Sequence, residues 1–92
     1  MNLALVISPR DNVATALEPL GAGATIAAGS ETVTLVDAIP RGHKLALRAI
    51  RAGEPIVKYG STIGTASSDI AAGAHVHTHN VASGRGRGDL GQ

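Results

Sequence analysis

Aliphatic and polar residues alternate through most of the chain. Leu3, Leu5 and Ile7 sit on one parity, as do Val13, Thr15 and Leu17; Val33 with Leu35, Leu45 with Leu47, and Ile56 with Lys58 continue the pattern. A period of two is the signature of a strand covered on one face, so the sequence predicts short strands whose aliphatic residues point to the core. Twelve glycines and four prolines break any run long enough for a stable helix. The best helical candidate, Val13 to Leu17, is stopped by Pro19.

A weak internal repeat lies between these strands: an aliphatic residue, a glycine three positions later, and another aliphatic three beyond that. Leu20, Gly23 and Ile26 form one copy; Ile39, Gly42 and Leu45 a second; Ile50, Gly53 and Ile56 a third; Ile70, Gly73 and Val76 a fourth. The copies are irregularly spaced, which argues against a solenoid. Each reads as a corner in which the glycine takes a positive φ and the flanking aliphatics anchor the turn to the core. The expected fold is all-β, compact and irregular, and occupies residues 1–82. From Ser83 the segment Ser83-Gly84-Arg85-Gly86-Arg87-Gly88-Asp89 has no apolar periodicity, and residues 83–92 are expected to form a mobile Gly/Arg tail.

Composition narrows the picture. A chain of 92 residues is one small domain, close to the size at which a single core is only modestly stabilising. Phe and Trp are absent and Tyr59 is the only aromatic residue, expected to fill the core with its hydroxyl at the rim. A core of Val, Ile, Leu and Ala alone is thin, which points to assembly with a partner or with a second copy. A net charge of +1 argues against a general nucleic-acid binder. With no cysteine, any metal must be held by histidine or oxygen ligands. The first residues lack a basic segment and their apolar run is too short to span a bilayer, so a cytoplasmic protein without membrane contact is expected.

The chemistry concentrates in Ala74-His75-Val76-His77-Thr78-His79-Asn80. On a strand, His75, His77 and His79 would share one face at steps of about 6–7 Å. Two of them would then serve one metal ion and the third a substrate or supporting group, with the remaining ligands from elsewhere; the alternative is a solvated polar face. Asn80 extends the run as an orienting donor. His43 and Lys44 follow a corner glycine and would project together as proton carrier and carboxylate anchor, or simply as a solvated turn. Asp11 and Asn12 suit a turn, or would face a ligand hydroxyl.

Taken in order, Asp11-Asn12-Val13, Gly42-His43-Lys44, Lys58-Tyr59-Gly60 with Ile63-Gly64, and His75-Val76-His77-Thr78-His79-Asn80 resemble the N-terminal SAF-type domain of the altronate/galactarate dehydratase family. The resemblance covers about residues 3–82 and implies a β-clip fold. It implies a hydro-lyase that dehydrates a sugar acid such as altronate or galactarate with a divalent metal, iron(II) or manganese. In this family the domain either opens a longer dehydratase chain or stands as a small subunit beside a large one, and a chain ending at Gln92 resembles the second arrangement. Sulfolactate sulfo-lyase is similar in its small subunit. Carried over by position, His75 and His77 would be metal contacts and His43 the catalytic group. Asp11, Asn12, Lys44, Lys58, Tyr59, His79 and Asn80 would contact substrate. The alternatives are a sulfolactate sulfo-lyase small subunit and a sugar-acid binding module without chemistry.

Overall fold

Four glycines turn the chain. In the computed structural model, which describes residues 3–82, Gly23, Gly42, Gly53 and Gly73 hold φ between +82° and +90°. Each is the third residue of a turn closed by one backbone hydrogen bond: Ala24 N–H to Gly21 C=O, His43 to Pro40, Glu54 to Arg51 and Ala74 to Ala71. This is the type II turn, whose third residue needs the left-handed region and so favours glycine. The aliphatic residue ahead of each turn is paired across the molecule. Leu20 and Ile39 exchange two backbone hydrogen bonds of 2.9 Å, and Ile50 and Ile70 exchange two of 2.8 and 2.7 Å. The expected corners are present and joined two by two.

That pairing reveals an order hidden by the irregular spacing. Residues 16–45 and 46–76 are two copies of one unit, each opening on Ala-Leu and containing two corners with a hairpin between them. Equivalent bonds recur. The Gly23 N–H donates to Leu35 as Gly53 does to Ala66, and the Gly42 N–H donates to Ala16 as Gly73 does to Ala46. The second copy is longer by one residue, and strand register locates it. In the first copy β3 (Thr25–Ala28) pairs with β4 (Glu31–Thr34) without a break. In the second, β6 (Pro55–Lys58) pairs with β7 (Ser61–Ala66) as Val57 to Thr62 and then Ile56 to Gly64, leaving Ile63 as a bulge.

The remaining strands tie the copies together. They are β1 (Ala4–Leu5), β2 (Val13–Ala16), β5 (Lys44–Ala46), β8 (His75–Val76) and β9 (Val81–Ala82). One sheet runs β4-β3-β1-β2-β5-β8, parallel only between β1 and β3; the other runs β6-β7-β9. The all-β expectation is borne out, and the described residues contain no helix. A core lies on each face of the first sheet. Leu20, Ile26, Leu35, Ile39 and Leu45 pack with Ala4, Ala14 and Ala16 on one side. Their second-copy equivalents Ile50, Ile56, Ala66, Ile70 and Val76 pack with Val13 and Ala46 on the other.

This two-sided burial overturns part of the alternation reading. Leu5, Ile7 and Leu17 are exposed, whereas Ala4, Ala14 and Ala16 are buried. Alanine suits positions where packed layers approach closely, and a hydropathy pattern gives it too little weight. Val13 to Leu17, the best helical candidate, contains strand β2. Tyr59 does not enter the core: it is 52% exposed at the tip of the β6–β7 hairpin, with φ +56°. With Gly60 at φ +75° it completes a two-residue turn of the I′ pattern, which places positive φ at both central residues. The tail expected over 83–92 lies outside the described residues.

Asp11 holds the N-terminal segment to this frame. It is 2% exposed, and its carboxylate accepts backbone N–H bonds from Ile7 (3.2 Å), Ser8 (3.1 Å) and Gly60 (2.8 Å). Burial pushes its pKa up, but the amides of Gly60, Ser8, Tyr59 and Ile7 outweigh that and hold it below 3.8. The ionised form is therefore favoured in the folded state, and the stability it contributes is present above about pH 3.8 and lost as pH falls through the lower folded value. Asp11→Asn is expected to cost about 2–4 kcal/mol at neutral pH, by mispairing these amides, and to flatten the acid end of the stability curve in urea melts. Gly73→Ala is expected to destabilise far more than Gly53→Ala in thermal melts. Both add a Cβ at positive φ, but at Gly73 it collides with the Thr34 carbonyl oxygen, while at Gly53 nothing lies within 4 Å.

Candidate metal centre

The pairing of β5 with β8 builds the site. His43 ends the second corner and precedes β5; His75 opens β8 opposite Leu45. His75 shares the face of Leu45, to which it is opposed, and His43, two residues before Leu45, shares it by alternation, so both emerge on the side of the first core. The His43 Nδ1 and His75 Nε2 atoms are 2.9 Å apart. After Val76 the chain leaves the strand and turns through 77–80, which differs from the single strand expected for the three histidines. The turn still gathers the rings. His77 stacks on His43 at 3.9 Å between centroids and 13° between planes, and lies 5.5 Å from His75. His79 is tilted, 5.2 Å from His75. All four histidines of the chain thus belong to one cluster.

Asn80 fixes this turn. Its Oδ1 accepts the His77 N–H at 3.0 Å, its Nδ2 donates to the His75 carbonyl at 2.9 Å, and its own N–H donates to the His77 carbonyl. Asp37 accepts the His75 N–H at 2.9 Å. Asn12 is tied in the same way to β6, accepting from Val57 N–H at 2.8 Å and donating to Pro55 C=O at 2.9 Å. The polar groups of Asp11, Asn12 and Asn80, expected to face substrate, are thus engaged with the chain's own backbone.

One nitrogen from each of His43, His75 and His77 lies within 4.8 Å of the others. Burial lowers the His75 pKa, helped by His43, His79 and His77 and opposed by Asp37. His77 is lowered by burial and then by His43, Lys44 and His79. Both rings are consequently biased toward the neutral form, which is the form that ligates a metal.

On the other face of the first sheet, Lys44 stands in the row Leu5–Thr15–Lys44–Val76. Burial, and then the charge of Lys58, lower its pKa. Lys44 lines a cleft of about 290 Å³ with Ile63, His77, Thr78 and Val81. His77 is common to the histidine cluster and to this cleft. Lys58 places its Nζ 4.6 Å from the centre of the Tyr59 ring. Sequence reading did not identify Thr78 and Ile63 as site residues; they are brought in by the turn and by the bulge, neither of which leaves a periodic signal.

For a histidine whose folded pKa lies below the ordinary 6.5, the unfolded chain takes up a proton that the folded chain refuses. The metal-free chain is therefore expected to lose stability as pH falls from about 6.5 toward the folded values, and to level off below them. Thermal melts across this range should show a shallower slope for His75→Gln than for the parent.

Residues 2–84 match the family model of the altronate/galactarate dehydratase SAF domain. The chain is 51% identical over 71 residues to altronate dehydratase of Escherichia coli (strain K12), covering 77% of this chain and 14% of that protein. It is 44% identical over 75 residues to altronate dehydratase of Bacillus subtilis (strain 168), covering 82% and 15%. It is also 49% identical over 47 residues to (2R)-sulfolactate sulfo-lyase subunit alpha of Paracoccus pantotrophus, covering 51% and 70%. The chain thus spans about one seventh of the altronate dehydratases it matches. Among the described residues no helix is long and apolar enough to cross a membrane. On the strength of a family match that covers its whole described length, the chain belongs to the altronate/galactarate dehydratase SAF-domain family.

Proposed function

We propose that this chain is the small component of a lyase that dehydrates a sugar acid of the altronate or galactarate type, and that it holds a divalent metal at His43, His75 and His77 for an active site shared with a large dehydratase subunit. The observation that carries the reading is the convergence of three imidazole nitrogens within 4.8 Å. Ligand nitrogens on adjacent positions of an ion at about 2.1 Å stand about 3 Å apart, which the His43–His75 separation of 2.9 Å fits. The donor set fits iron(II), which imidazole suits as it suits zinc, better than manganese, which prefers oxygen ligands, and three imidazoles leave positions for substrate oxygens. When bound, the ion would supply Lewis acidity to stabilise the charge that develops on a carboxylate as its α-proton is removed.

The chain's own residues do the rest. In this reading His43, expected as the proton carrier, joins the ligand set instead. His79, beside His75 but outside the set of three, becomes the candidate for proton exchange with the leaving hydroxyl. Asn80 and Asp37 hold the backbone on which His75 and His77 are mounted. The partnership is supported by the subunit naming of the sulfolactate sulfo-lyase relatives, which makes desulfonation of a sulfolactate the second reading within the same chemistry.

Cobalt(II) titration of the purified chain, followed by its ligand-field absorption, is expected to saturate at one ion per chain, and His43→Ala, His75→Ala or His77→Ala to weaken binding by at least about tenfold. Undiminished binding in all three variants would remove the metal assignment. When the chain is reconstituted with a large dehydratase subunit, His77→Ala should lower turnover of altronate or galactarate by at least about a hundredfold with an unchanged melting curve; parental turnover would sink the shared-site reading.

A further inference from the structure

The duplication supplies an internal control for the second hairpin. Residues 29–30 and 59–60 are equivalent two-residue loops, flanked by Ala28 opposite Glu31 and by Lys58 opposite Ser61. The first loop position has φ +62° in one and +56° in the other. The first hairpin fills it with Gly29, as the geometry favours; the second fills it with Tyr59, a bulky side chain rarely found at positive φ. Core packing does not offset this, since Tyr59 is exposed, with the Lys58 ammonium over its ring. The other departure from the first hairpin is the bulge, and it too brings an apolar side chain, Ile63, to the surface.

Both departures fall on one exposed face. Leu5 heads the row Leu5–Thr15–Lys44–Val76 on the second-core side of the first sheet, and Ile63 meets that row at Lys44 in the cleft. Ile7, two residues beyond Leu5, and Gly60, next to Tyr59, donate their N–H groups to the same Asp11 carboxylate. Leu5, Ile7, Tyr59 and Ile63 are four of the six exposed large apolar residues among those described, so such exposure is concentrated here rather than scattered. Cations border the face: Lys58 over the Tyr59 ring, Lys44 in the cleft and Arg10 on the turn closed by Asp11. Among the described residues the ion pair present is Arg48 with Glu31, and the Asp11 carboxylate is buried against backbone amides.

We infer that this face, formed by Leu5, Ile7, Tyr59 and Ile63 within a cationic border, is the surface on which the large dehydratase component docks, with Tyr59 as its anchor. Tyrosine is enriched among the residues that carry the energy of protein interfaces. A second copy fits poorly, because a two-fold contact sets the patch against itself and opposes cations to cations. The charge instead calls for an apolar surface bordered by carboxylates. The cleft opens within this face and His77 lines it, so a partner seated here reaches the histidine cluster. The identity of the partner rests on the shared-site reading, whereas the surface rests on the hairpin.

The test is calorimetric titration of the full chain into the large dehydratase subunit, in chelator and at low and high salt, with sedimentation of the chain alone. Saturable binding that weakens as salt rises is expected, and the chain alone should sediment as a monomer. Asparagine suits the first position of this turn, so Tyr59→Asn should keep or raise the melting temperature while weakening binding about tenfold or more. Ile7→Gln should also weaken binding, and Arg51→Gln, on an exposed corner, should leave it unchanged. Undiminished affinity in both Tyr59→Asn and Ile7→Gln overturns the surface and leaves the shared-site reading standing. A chain that self-associates, with Tyr59→Asn dissolving the dimer, overturns the choice of partner in favour of a second copy. Absence of binding by the parent chain overturns the shared-site reading and this occupant together.

Discussion

The structure depends on one backbone constraint: a left-handed residue three positions after a buried aliphatic side chain. Without a Cβ, Gly23, Gly42, Gly53 and Gly73 adopt it at little steric cost, and each then aims its own N–H across the molecule at a carbonyl of the neighbouring ribbon. The corners therefore both reverse the chain and join its layers. Gly73 shows how tight the joint is, because its α-carbon lies against the Thr34 carbonyl with no room for a methyl group. In a chain with one aromatic residue and a core rich in alanine, this directional bonding complements modest apolar burial.

The same constraint positions the chemistry. The second corner delivers His43 to the start of β5, the fourth delivers His75 to β8, and the pairing of those strands brings the imidazoles together. Short strands between stiff turns leave little freedom in register, so the histidines are set by corners lying far apart in sequence. Asn80 then folds the following segment back, placing His77 on the rim between the two faces of the sheet. Imidazoles on one side and the Lys44 ammonium on the other give the rim two chemically different neighbourhoods, with His77 common to both.

Much of this was legible in residues read singly. The four corners followed from the glycines, because a type II turn demands positive φ at its third residue whatever surrounds it, and from the aliphatic residue that precedes each turn. The importance of the histidine run, of His43-Lys44 and of Lys58 could be read from residue type and order. The inward face of β1 and β2 could not, because Ala4, Ala14 and Ala16 are selected by how closely two cores approach a central sheet, which is a property of the assembled layers. The duplication is hidden for a related reason: the repeating object is a pair of corners enclosing a hairpin, so successive corners stand at unequal spacings. Asp11 and Asn12 looked available for a ligand because their polarity was visible and their partners at Gly60, Val57 and Pro55 were not.

The bulge at Ile63 has a consequence for symmetry. Two equal copies back to back would offer two equivalent surfaces, and a ligand would have no reason to prefer either. One additional residue in one hairpin removes the equivalence, and the histidine-rich turn follows the same copy. The duplicated frame thus stays regular at its corners and differs at one hairpin, so the two faces of the first sheet are not equivalent surfaces.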